Sequence, residues 1–75
     1  MRHLVKRSVT LAGHRTSVAL EPAFWMALDV LAAREGRATA GLVAALDAMR
    51  DPAVPLTSAL RVHALVMATR ESSSR

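Results

Sequence analysis

A strand that must find a partner constrains this chain more than any other feature. Arg15-Thr16-Ser17-Val18-Ala19-Leu20 alternates in character along its length and runs through Glu21-Pro22 into a helical pattern. Period-2 alternation marks a half-buried strand, with alternate residues on opposite faces. Thr16, Val18 and Leu20 are expected on a core and Arg15, Ser17 and Ala19 on the outside. The rest of the chain reads as helix, so the expected partner is the same strand of a second copy. Ser8-Val9-Thr10-Leu11 also alternates, and Ala12-Gly13-His14 supplies a turn. A hairpin between these two segments, widening the ribbon, remains open at this point.

Helix signals follow in order. Pro22 suits a first helical position, Glu21 suits the positive end of the helix dipole, and Gly36 is a natural stop. Phe24, Leu28 and Leu31, with Trp25 and Ala32 beside them, predict a helix over residues 22–34. Thr39 is expected to cap a second helix carrying Leu42, Val43, Leu46 and Met49, which Asp51-Pro52 ends. A third helix is expected from about Thr57, with Thr57 or Ser58 as cap, to Thr69 or Arg70. It is apolar around most of its circumference, and such a helix is normally buried. In 75 residues there is little protein to bury it, which points to a dimer. The expected organisation is a flexible basic arm over residues 1–7, one folded domain over 8–70 and a disordered tail over 71–75. The fold class is mainly α with a short N-terminal β-ribbon.

Charge divides the chain. Residues 1–20 contain Arg2, Lys6, Arg7 and Arg15 and no acid, while basic and acidic residues balance over 21–75. The net charge of +4 therefore resides in the first twenty residues, which suits a polyanionic partner. Cysteine is absent and His3, His14 and His63 lack metal-ligand spacing, so neither a metal site nor a cofactor is expected. No Gly-x-Ser-x-Gly elbow, P-loop or paired-carboxylate arrangement is present, and the chain is read as non-enzymatic. The N-terminus lacks an apolar signal region and no apolar run is long enough to span a membrane. A cytoplasmic location is the default expectation.

Several segments together resemble a family. They are Lys6-Arg7-Ser8-Val9, Gly13-His14-Arg15-Thr16-Ser17-Val18, Leu20-Glu21-Pro22, Phe24-Trp25 and Ser58-Ala59-Leu60-Arg61-Val62. They resemble short bacterial proteins of the ribbon-helix-helix family that carry a C-terminal extension. The resemblance spans residues 6 to about 68. It implies a homodimer whose antiparallel ribbon enters the DNA major groove, with an extra C-terminal helix. Transferred to this chain, it implies that Arg15, Ser17 and Ala19 read bases. Lys6 and Arg7 would contact phosphates, as would the N-terminus of the second helix, with Thr39, Ala40 and nearby Arg37. Val18, Leu20, Phe24, Leu28, Leu42 and Leu46 would form the dimer core. The implied function is a sequence-specific transcriptional regulator, most simply a repressor, with double-stranded DNA as partner. The alternative is an antitoxin-like or scaffold module whose third helix docks a protein.

Overall fold

The computed structural model describes residues 3–73. Two strands, β1 (Val5–Leu11) and β2 (His14–Leu20), precede three helices: α1 (Pro22–Arg34), α2 (Thr39–Met49) and α3 (Leu56–Ser73). β1 and β2 pair antiparallel within one chain, in a register running from Val5 opposite Leu20 to Leu11 opposite His14. The strand partner of β2 is therefore β1, and a second copy is not needed to supply one. The expected basic arm is corrected as well. Val5, Lys6 and Arg7 belong to β1, while Met1 and Arg2 lie outside the described residues.

The hairpin closes through Ala12 and Gly13, both at positive φ (50° and 85°). Positive φ at both central residues matches the right-handed twist of the flanking strands. Gly13 accepts this freely, but Ala12 places a Cβ in the left-handed region, which costs about 1–2 kcal/mol. Ala12→Asn keeps the turn and relieves that cost, since asparagine tolerates the conformation. The expected gain is about 0.5–1 kcal/mol in urea denaturation; an unchanged midpoint would show that the turn is not strained.

The helices follow their sequence signals closely. Pro22 opens α1, and Glu21 is its N-cap. At its far end the Gly36 N–H donates to the Ala33 carbonyl at 3.1 Å and the Arg37 N–H to the Ala32 carbonyl at 3.0 Å. Gly36, at φ 71°, is the left-handed residue that this pair of bonds requires. The cap of α2 differs from expectation. Ala38 occupies the N-cap position and Thr39 is the first helical residue, its hydroxyl engaged elsewhere. α3 starts at Leu56, so Thr57 and Ser58 fall in its first turn, and it runs on to Ser73 through part of the expected tail. Residues 74 and 75 lie outside the described residues.

One face of the hairpin lies on the helical layer. Val9, Val18 and Leu20 from the strands meet Trp25, Leu28, Leu31 and Ala32 of α1, Leu42 and Val43 of α2, and Leu60 and Ala64 of α3. Thr16 shares the face of Val18 and Leu20 but is exposed, close to the turn. Of the residues expected in a dimer core, Val18, Leu20, Leu28 and Leu42 are buried within this one protomer, with Phe24 and Leu46 packed partly against them. The large apolar side chains left open are others, chiefly Met26, Met49, Val62 and Leu65.

Candidate nucleic-acid interface

The sheet face turned away from the helices is set by the register. Lys6 lies opposite Ala19, Ser8 opposite Ser17 and Thr10 opposite Arg15, and these six side chains share one surface. Lys6, Ser8, Thr10, Arg15 and Ser17 are exposed and Ala19 is half-buried. No acid is among them. Neither Lys6 nor Arg15 takes part in an ion pair among the described residues, whereas Arg7, Arg34, Arg37, Arg50 and Arg61 all do. A face with two free cations, two serine hydroxyls and a threonine hydroxyl can hold phosphate and donate to base edges.

The same register fixes which backbone groups are free. A two-residue turn makes its flanking pair, Leu11 and His14, exchange hydrogen bonds, and such pairs then alternate along the ladder. Arg15, Ser17 and Ala19 fall in the other class, so their N–H and C=O groups point away from β1. Lys6, Ser8 and Thr10 present theirs along the opposite edge. Both edges of this two-stranded sheet are open for pairing.

Behind the face, Arg7 is committed to structure. Its side chain lies on the helix-facing side of β1, 4.5 Å over the centre of the Trp25 ring. Its guanidinium donates to both carboxylate oxygens of Asp29, at 2.8 and 3.1 Å. The Thr39 hydroxyl donates to Asp29 Oδ1 at 2.6 Å, and Trp25 Nε1 donates to the Val5 carbonyl at 2.7 Å. One carboxylate thus ties β1, α1 and the start of α2 together. The bonds from Arg7 first, and from Thr39 second, hold the Asp29 carboxyl below the usual carboxylate range. A carboxyl group depressed by folding adds stability above its unfolded value of about 3.9. That stability is lost as pH falls through the lower folded value. Asp29→Asn is accordingly expected to cost stability at pH 7 and progressively less below about pH 4. Denaturation midpoints at pH 7 and pH 3 measure this; a gap that does not narrow would show that the ion pair is idle.

The expected phosphate residues are thus unevenly placed. Lys6 is free on the open face, and Arg7 is turned to the other side. Arg37 pairs with Glu35 at 2.6 Å, and the Thr39 hydroxyl is taken by Asp29. At the start of α2 the side chain of Ala38 offers no cap, and N–H groups of a first turn, such as those of Thr39 and Ala40, lack helical partners. Asp29, however, brings a negative charge to that end. Sequence reasoning missed Ser8 and Thr10 as members of the outward face. The signal was present in the alternation of Ser8 to Leu11 and in a two-residue turn at Ala12-Gly13. It also missed the hub at Asp29, whose partners lie 22 and 10 residues away and leave no local mark.

Among the described residues no group of histidine, cysteine or acid side chains is arranged to hold a metal ion, and no helix is long and apolar enough to cross a membrane. Residues 4–68 match a protein family described as a ribbon-helix-helix domain. No curated protein and no solved structure shows a significant match to the chain.

Proposed function

This chain belongs to the ribbon-helix-helix family, and on that premise we propose that it is a sequence-specific DNA-binding homodimer that represses transcription. The family is in general one of DNA-binding regulators. The observation that carries the finer reading is the acid-free outward face of the hairpin, with Lys6 and Arg15 unpaired on it. Two protomers join along the open edge of β2, with Ser17 facing Ser17 of the second copy across the twofold axis. Arg15 then lies opposite Ala19 of the other copy, and the paired β2 strands enter the major groove, which admits a two-stranded ribbon.

In this arrangement Arg15 donates to guanine O6 and N7, Ser17 hydrogen-bonds base edges and Ala19 packs on a thymine methyl. Lys6 neutralises phosphate. The α2 N-terminus contributes through the N–H groups of Thr39 and Ala40, with Arg37 beside them, and contributes less than a bare helix end because Asp29 stands there. Arg7 is reserved for Asp29 and Trp25. A cytoplasmic location follows from this reading.

Arg15→Ala is expected to weaken specific binding by about 1–3 kcal/mol and to relax base preference at one position per half-site. Selection of bound duplexes from a random pool, followed by titration against salt, tests the whole reading. A palindromic motif and a steep loss of affinity with salt are the expected results. Unchanged discrimination by Arg15→Ala would sink the base-reading assignment, and a monomeric mass at micromolar concentration would sink the dimer.

A second reading has one observation in its favour. Val62, Leu65 and Val66 of α3 lie open to solvent, an apolar strip suited to a protein partner. A module of that kind would show no motif enrichment and no steep salt dependence.

A further inference from the structure

We propose that β1 is a phosphate-contacting flank of the DNA-binding sheet, with Ser8 and Thr10 acting beside Lys6, and that base reading is confined to β2. The proposal rests on the DNA-binding reading above and goes beyond it by assigning a role to a strand that a simple two-stranded ribbon does not contain.

Geometry comes first. Each protomer supplies a hairpin, not a single strand. Joining two hairpins along β2 gives the order β1, β2, β2 of the second copy, β1 of the second copy. Neighbouring strands lie about 4.8 Å apart, so the outer two are separated by roughly 14 Å. The major groove is about 12 Å wide and holds the central pair only. The outer strands must ride over the sugar-phosphate backbones on either side.

The chemistry of β1 suits that position. A phosphate rim offers only acceptors, so a strand lying on it needs donors. The outward side chains of β1 are the Lys6 ammonium and the Ser8 and Thr10 hydroxyls, all exposed. The backbone adds to them. Lys6, Ser8 and Thr10 belong to pairs whose N–H groups point away from β2, along the edge nearest the phosphates. Each of the three positions thus presents both a side-chain and a main-chain donor on the flank. β2 offers its second edge to the other protomer, so its three outward residues meet the bases. Phosphate contacts fix position and add affinity without reading sequence.

The test uses the full chain and the DNA enriched by the wild type. Thr10→Val, Ser8→Ala and Lys6→Ala are titrated against that duplex and a scrambled one, and selection is repeated with each variant. Thr10→Val keeps a β-branched residue in the strand, and circular dichroism checks that all three variants fold. Removing either hydroxyl is expected to lower affinity about two- to tenfold for both duplexes alike, with the enriched motif unchanged. Lys6→Ala is expected to flatten the log–log salt dependence by about 0.9 for every phosphate that the lysine neutralises in the wild type. A changed base preference in Thr10→Val or Ser8→Ala would overturn the proposal by placing β1 in the groove. Unchanged affinity in both would overturn it by placing β1 clear of the DNA. A wild type that enriches no motif defeats the DNA-binding reading itself, which separates the two failures.

Discussion

Trp25→Ala is expected to leave the chain largely unfolded at 37 °C. Trp25 is almost fully buried at the centre of the core, and truncating a buried aromatic to alanine costs about 3–5 kcal/mol. A domain of this size has only about 4–11 kcal/mol of total stability to lose. Two further losses fall on the same site. The Val5 carbonyl loses the indole donor at 2.7 Å, and Arg7 loses the ring beneath its guanidinium. Trp25→Phe separates these effects, since it keeps an aromatic ring and removes the N–H. It should cost less than the alanine change. Far-UV circular dichroism against urea measures both. Trp25 is the sole tryptophan, so its own fluorescence is lost in the variants. A folded alanine variant with a wild-type midpoint would show that the burial of Trp25 and its contacts to Val5 and Arg7 are dispensable.

Ser17→Pro is expected to abolish the dimer while preserving the hairpin. Proline removes an N–H and is tolerated in a strand only where that N–H faces away from the ladder. The Ser17 N–H faces away from β1, so the hairpin keeps its bonds while β2 loses the centre of its joining edge. Ser8→Pro is the matched control, because Ser8 lies directly opposite Ser17 and its N–H points to the other edge. Sedimentation at micromolar concentration should find Ser17→Pro monomeric and Ser8→Pro dimeric. The reverse result would place the joining edge on β1. Two dimeric variants would move the contact to the helices, where Met26, Val62 and Leu65 are open.

The helices were legible because their signals are local. Pro22 opens α1 and Gly36 closes it with a positive φ; of the expected stripe Leu28 and Leu31 reach the core with Trp25 and Ala32 beside them, while Phe24 packs only partly against it. The inward side of β2 was legible at Val18 and Leu20 for the same reason. The pairing of β1 with β2 was only half visible. Arg7 falls on the helix-facing side of β1, where a cation breaks the apolar pattern that would have marked the strand. It is accommodated because Asp29 and Trp25, far along the chain, receive its charge and its flat face. Thr39 misled for a related reason. As a local signal it is a good cap, but it stands one place further in, at the first helical position, where its O–H donates to the distant Asp29 carboxylate. In both places an interaction between distant residues overrode a local preference.

The two-residue turn at Ala12-Gly13 bears on how two copies would meet in the proposed dimer. Hairpins with short turns form in about 1–10 μs, long before two dilute chains encounter each other. β2 is therefore already straight and in register when a partner arrives. The entropy of ordering a strand belongs to the folding of each protomer and not to association. In the proposed dimer, joining would be the docking of two finished edges, and separation would return two folded protomers rather than two unfolded chains. Subunits of the proposed dimer would then exchange without unfolding. Mixing tagged and untagged chains should yield mixed dimers at a rate set by dissociation alone, under conditions where both remain folded.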